Sequence, residues 1–184
     1  MSQPDDDDQE LWQRVRDGDG DAFAVLFARH ADAIANFAFR RTADWSAAED
    51  VTSLVFLEAW RQRRRVRFHQ ESILPWLIGV AHNVARNMWR SQLRYRRALT
   101  RTRIEVAADV QDEIAGRIDD ERRMAQVREL IGWLSAADQS VLELCAWAGL
   151  SYAEASEALG VPVGRCVRVC REPDDGGGSL TQRR

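Results

Sequence analysis

The chain contains no lysine: all 26 of its basic residues are arginine. Lysine codons are poor in G and C, so a GC-rich genome accounts for that absence. It does not account for how the arginines are placed. Cysteine is also scarce. Cys145, Cys166 and Cys170 form an odd, sparse set, which excludes a disulfide framework. Proline and glycine number only 4 and 11 in 184 residues, beside 30% charged and 45% hydrophobic residues. Such a composition favours helices with real cores. No apolar run approaches the ~20 residues of a membrane span, so no membrane insertion is expected. The opening MSQPDDDDQE is acidic where a secretory signal would be basic and apolar, and the cytoplasm is the expected compartment. HExxH, a nucleophile elbow and a phosphate-binding glycine loop are all missing. No catalytic residue is assigned, and neither cofactor nor metal is expected.

What the chain does have is a concentration of arginine. Residues 61–103 hold twelve Arg against one acid, Glu71, in a chain whose net charge is -3. One basic stretch in an acidic chain points to a polyanion-binding surface. Phe68, Trp76, Trp89 and Tyr95 and the amides Asn83 and Asn87 share the stretch. Arginine, asparagine and stacking rings suit nucleic acid with partly exposed bases.

Periodicity predicts a first helical block over residues 8–41, broken by the turn at 17–20. A second block spans about 46–65, with Ser46 and Glu49 spaced as a capping box. A polar loop at 66–71 precedes a long basic helix over 72–97, with Pro75 in its first turn. On a helical wheel, Asn83, Arg86, Asn87, Arg90, Arg94 and Arg97 fall within an arc of about 100°. Leu77, Val80, Val84 and Met88 fall opposite and are expected to be buried. Residues 100–120 lose the pattern, turn acidic and read as a flexible linker. Three more helices follow over about 121–134, 136–148 and 151–159, with Ser135 and Ser151 as N-caps and Gly149 and Gly160 as stops. The spacing over 136–164 is that of a helix-turn-helix, although any three-helix bundle shares it.

Three other patterns are weak. Residues 17–21, Asp-Gly-Asp-Gly-Asp, resemble a calcium loop, but Ala22 and Ala28 stand where Gly and Glu are needed. Cys166 and Cys170 are half a zinc site without a partner pair. The acid run at residues 5–8 reads as a solvated tail or a helix N-terminal charge cluster.

Four segments together resemble the extracytoplasmic-function (group 4) sigma factors of bacterial RNA polymerase. GDGDAFAVLFARH is similar to the family's opening helix. SAAEDVTSLVFLEAWRQ resembles its AEDL-x-Q-x-x-F-x-x-AW signature. SILPWLIGVAHNVARNMWRSQLRYRR resembles its FxxWLxxIAxNxxxDxxRxxxR helix. LSAADQSVLELCAWAGLSYAEASEALGVPVG resembles its helix-turn-helix. The resemblance covers about residues 10–164.

It implies an all-α protein of two small helical domains, a sigma domain 2 bundle and a helix-turn-helix sigma domain 4, joined by a flexible linker. The expected divisions are 8–99 and 121–170, with a linker at 100–120 and a disordered tail at 171–184. The partners implied are core RNA polymerase, through its clamp helices, and promoter DNA, with an anti-sigma factor as many family members have. Glu49, Asp50, Ser53, Leu54, Phe56 and Leu57 would meet the clamp helices, with core packing the alternative for the apolar members. Arg67, Phe68, His69, Asn83, Arg86, Asn87, Arg90, Arg94 and Arg97 would contact the −10 element, the loop at 67–71 capturing a flipped base. Trp76 would pack in the core or support strand opening. Ser151, Tyr152, Glu154, Arg165 and Arg168 would meet the −35 element.

The chain departs from the family pattern in places. Ser53 replaces the usual Gln, and Asn87 and Met88 stand where an acid is common. After Gly164 the family continues with a helix of the type TVRSRLSRARRRL, whereas this chain reads RCVRVCREPDDGGGSLTQRR. Reading those codons from the third base of the Gly164 codon can yield TLRSRLSRARRR. A frame change after Gly164 is therefore expected, with weak −35 contact as its result. The alternatives are an impaired sigma-like protein that binds core without productive initiation and a helix-turn-helix repressor. A nuclease would need a carboxylate cluster beside the arginines, which Glu71 alone does not supply.

Overall fold

The computed structural model describes residues 7–67, 71–99 and 113–171, and every regular element among them is helical. The order is α1 (Asp8–Arg16), α2 (Gly20–Thr42), α3 (Trp45–Gln62), α4 (Leu74–Leu99), α5 (Glu113–Ile131), α6 (Ala136–Leu142), α7 (Tyr152–Leu159) and α8 (Val163–Cys170). A π-helical turn, Glu143–Trp147, extends α6.

Helices α1–α4 form the N-terminal bundle. The turn at 17–20 is a helix junction: Gly18 takes φ 99°, and Asp19 caps α2 by accepting from the Asp21 and Ala22 N–H groups. Helix α2 is 23 residues long and apolar enough to cross a bilayer by length and composition. It instead serves as the core helix, burying Leu26, Ile34, Phe37 and Ala38 among α1, α3 and α4. Leu26, Ile34 and Phe37 each contribute roughly 1.5–3 kcal/mol when fully buried. Helix α3 starts one residue before the expected cap. Asp44, not Ser46, caps it, accepting from Ala47 N–H at 3.0 Å. Trp45 then stacks on Phe39 at 3.9 Å.

The end of the acid run is the helix N-terminal charge cluster of the two readings: Asp7 caps α1 and Asp8 lies in its first turn, though buried rather than solvated. Asp8 is 3% exposed, and four partners surround its carboxylate. Arg29 Nη1 and Ser72 Oγ donate at 2.7 Å, Ile73 N–H donates at 2.9 Å, and His30 Nε2 lies at 2.8 Å. Burial alone would raise the Asp8 pKa. The bonds from His30, Ser72, Ile73 and Arg29 outweigh it and hold the carboxyl far below the usual range. One side chain therefore ties α1 to α2 and to the start of α4.

Helices α5–α8 form the second bundle. Ser135 and Ser151 cap α6 and α7 as the sequence indicates, Ser151 within a reciprocal capping box with Glu154. Gly149 and Gly160 take φ 68° and 64°, the left-handed turns that stop each helix. Helix α5 already begins at Glu113, inside the acidic stretch read as linker. Helix α8 keeps two turns after Pro162 and buries Cys166.

Candidate nucleic-acid interface and its surroundings

The long basic helix has two sides. Leu77, Ile78, Ala81, His82 and Ala85 are buried, while Asn83, Arg86 and Asn87 are exposed. Val80, Val84 and Met88, expected to be buried, are half-buried at the rim of that core. The buried stripe is thus turned towards Ile78 and His82, because α2 and α3 both pack on that flank. Arg86 Nη2 donates to Asn83 Oδ1 at 3.1 Å, which fixes the two exposed side chains relative to one another. Arg67 is exposed beside them. Arg90, Arg94 and Arg97 lie further along the same helix; their side chains, like Phe68 and His69, lie outside the described residues. Trp76 is half-buried against Trp12, with ring centroids 5.9 Å apart, which is the core role.

The residues assigned to the clamp helices divide. Glu49, Asp50, Ser53, Leu54 and Leu57 are exposed along one side of α3. Leu54 and Leu57 are 41% and 53% exposed, which is uncommon for leucines on a core helix. Phe56 does not belong with them. It is buried, its ring 6.1 Å from Phe23 and 4.6 Å from Phe27. Its phase on the helix sends it inward with Val55 and Thr52.

In the second bundle Ser151 and Tyr152 are exposed at the start of α7, and Arg168 is exposed on α8. Glu154 is half-buried, its carboxylate engaged by Ser151 N–H at 2.7 Å. Arg165 is engaged within its own bundle. Its Nε donates to Asp138 Oδ1 at 3.1 Å. The three cysteine thiols are free.

The two bundles touch, and sequence reasoning gave no sign of it. Helix α7 crosses α4 where Gly79 meets Ala158: a Cβ on Gly79 would lie 3.2 Å from the Ala158 Cβ. A crevice of about 500 Å3 beside that crossing is lined by Arg67, Trp76, Val80 and Asn83 from one bundle and by Glu154 and Glu157 from the other. Arg40 Nη1 donates to Trp147 O at 3.0 Å. Glu143, 4% exposed, pairs with Arg41 and lies 3.8 Å from His82 Nδ1. Burial lowers the His82 pKa to about 3, and Arg41 and Arg86 add to the effect. Burial likewise lowers Arg41 to about 10, with Arg128 and Arg86 contributing, so Arg41 stays charged at neutral pH.

These shifts set an acid limit on stability. His82 is neutral when folded and takes up a proton when unfolded, so its contribution is lost as pH falls below about 6.5. Asp8 has a depressed folded pKa, and its contribution is lost only as pH falls through the range near 4 and below. Melting followed by circular dichroism should therefore show a fall in two limbs. The upper limb should decline by up to about 1.4 kcal/mol per pH unit. His82→Gln should flatten that limb, and Asp8→Asn the lower one. A melting temperature constant from pH 7 to pH 4 would contradict the His82 assignment, and one that falls no further below pH 4 would contradict that of Asp8.

Comparison with known proteins agrees with this arrangement. The family model for Sigma-70 region 2 matches residues 26–95, and that for Sigma-70, region 4 matches residues 124–166. The ECF RNA polymerase sigma factor SigK of Mycobacterium ulcerans is 30% identical over 159 residues, covering 84% of this chain and 82% of the relative. The RNA polymerase sigma factor HrpL of Pseudomonas syringae pv. syringae is 31% identical over 131 residues, 70% of each chain. Among solved structures, CnrH in complex with the cytosolic domain of CnrY shares the fold, with a TM-score of 0.65, 24% identity and 89% of each chain covered. Two bundles, a basic helix in the first and a helix-turn-helix in the second, thus coincide with the two matched regions. The chain belongs to the extracytoplasmic-function sigma factors, the family that directs bacterial RNA polymerase in transcription initiation.

Proposed function

We propose that the exposed face of α4 reads and helps open the −10 element, while the exposed side of α3 docks the clamp helices of core polymerase. The observation that carries this reading is the placement of Asn83, Arg86 and Asn87 on one solvent face of a helix whose other side is fixed by core packing. Arginine there supplies phosphate contact, and the amides supply base selectivity. Arg90, Arg94 and Arg97 extend the face, and Arg67, Phe68 and His69 supply the capture loop. Glu49, Asp50, Ser53, Leu54 and Leu57 form the clamp surface, with Phe56 supporting it from below. The first domain is taken as 8–99, and the second, read from the sequence as 121–170, reaches back with α5 to Glu113. The protein acts by binding alone, not as an enzyme, and works in the cytoplasm. An anti-sigma partner belongs to this reading, since the structural relative CnrH was solved with the cytosolic domain of a second protein.

The test is promoter opening by holoenzyme reconstituted with Arg86→Ala/Arg90→Ala. Opening should fall, and the salt dependence of promoter binding should flatten by about one unit of slope per lost phosphate contact. Unchanged opening at all salt concentrations would remove α4 from the DNA.

A second reading, an impaired sigma factor that binds core without productive initiation, rests on the C-terminus. The region 4 match stops at residue 166, two residues past Gly164. Arg165, the first residue after that glycine, is committed to Asp138. Ser151, Tyr152 and Arg168 remain to touch the −35 element. A frame change after Gly164 accounts for both.

A further inference from the structure

A second crevice, of about 490 Å3, lies where α2, α3 and α4 meet α5 and α6. Its lining divides by chemistry. Ala47, Ala85, Met88 and Ile131 present carbon, whereas Arg41, Arg86 and Arg128 bring guanidinium groups from three different helices. The neutral donors on the lining are turned to backbone carbonyls. The Thr42 hydroxyl donates to Ala38 O, the Gln139 amide to Leu134 O and the Ser140 hydroxyl to Ala136 O. Positive charge over apolar walls is what the crevice offers a visitor.

That charge is only partly answered. The carboxylates on the lining are Glu143, which pairs with Arg41, and Asp44, which caps α3 through the Ala47 N–H. Three guanidiniums thus stand against two carboxylates. Burial holds Arg41 and Arg128 below the usual arginine range, and Arg128 and Arg86 lower Arg41 further. The three cations are therefore within mutual reach, and a multivalent anion among them would relieve their repulsion. Guanidinium forks suit phosphate, to which each donates two parallel hydrogen bonds. Phosphate alone would leave the carbon walls unmatched. A planar ring joined to it would cover them, and the Met88 thioether favours an aromatic face. Small-molecule sites are concave, largely apolar and supplied with a few convergent charges, and they commonly span about 300–1,000 Å3.

We infer that this crevice binds a nucleoside polyphosphate, its phosphates among Arg41, Arg86 and Arg128 and its ring against Ala85, Met88 and Ile131. Arg41 and Arg128 hold the phosphates from opposite bundles, and Arg86 closes on them from the mouth of the crevice, where it is exposed. Arg86 also belongs to the proposed −10 face. The test therefore leaves Arg86 unaltered and uses neither DNA nor core polymerase, so it holds or fails apart from the surfaces proposed above.

The experiment is titration calorimetry of the full chain with ADP and with GDP, set beside inorganic pyrophosphate and adenosine. Saturable, equimolar binding of at least one nucleotide is expected, with pyrophosphate about tenfold weaker and adenosine without measurable heat. Arg128→Gln removes one charge-assisted contact and should weaken the nucleotide about tenfold. Ala136→Phe fills the crevice from an exposed position on its lining and should weaken the nucleotide as much, with both cores untouched. Arg64→Gln removes the same charge from an exposed position outside the crevice and should leave affinity unchanged. Circular dichroism checks the fold, and if Arg128→Gln is unfolded, Ala136→Phe decides. No saturable heat with either nucleotide overturns the site. Equal weakening by Arg64→Gln and Arg128→Gln overturns it too, because the attraction is then diffuse. Pyrophosphate as tight as both nucleotides overturns the nucleoside polyphosphate as the ligand.

Discussion

Replacing Leu54 and Leu57 together by glutamate is expected to abolish binding to core polymerase while leaving the protein folded. Both side chains are largely solvent-exposed on α3, so neither contributes much to the bundle core. Two apolar side chains flanked by Glu49, Asp50 and Ser53 have the composition of a docking centre with a polar rim. Truncating a central apolar anchor commonly costs about 2 kcal/mol or more, and a buried unpaired carboxylate costs further. The loss of affinity should reach about 100-fold or beyond. Co-purification with core and fluorescence anisotropy measure it, and circular dichroism checks that the melting temperature is retained. Phe56→Ala is the contrast. It opens a cavity beside Phe23 and Phe27 and should lower stability by about 3–5 kcal/mol. If the double glutamate variant bound core as the unmodified chain does, α3 would not be the clamp surface.

The second large effect concerns α8. Replacing the segment after Gly164 by TLRSRLSRARRR should turn a short helix into a basic one that enters the major groove. In the present chain Arg165 is tied to Asp138 and Cys166 is buried, which leaves Arg168 and the start of α7 to meet DNA. Each recovered base contact is worth roughly 1–3 kcal/mol, so two of them raise promoter affinity by about 100-fold. Transcription in vitro from a promoter library of the same genome reads the outcome. Initiation by both forms would show that −10 contacts suffice. Initiation by the restored form alone, with core bound by both, would identify the natural chain as a disabled sigma factor. No gain in any assay would remove the frame-change explanation.

Much of this architecture could be read before any coordinates. The Ser151 capping box and the Gly149 and Gly160 stops are local signals, because capping and left-handed φ are decided within a few residues. The Arg/Asn side of α4 was legible for the same reason: one helical period fixes which residues share a face. Most of the misses are non-local. Asp8 looks like part of a solvated tail until Ile73 N–H and His30 are brought to it across the fold. His82 gives no periodic signal as a buried neutral ring facing Glu143, because that carboxylate arrives from the other bundle. Gly79 carries no signal in the sequence, and only Ala158 explains why a side chain there would collide. Phe56 shows the same limit at short range. A family motif places it among contact residues, whereas helical phase sends it into the core.

The Asp8 clasp bears on how the chain acquires its shape as it is made. Its carboxylate waits for a hydroxyl and an amide that emerge some sixty-five residues later, at Ser72 and Ile73. Until then, α1 and α2 can form helices on the ribosome but cannot lock their N-terminal end. Closure is a long-range event, which slows the last step of bundle assembly relative to its local helices. A nascent chain released before α4 appears would keep Arg29 and His30 beside Asp8 but lack its other two partners, leaving an open seam beside α1.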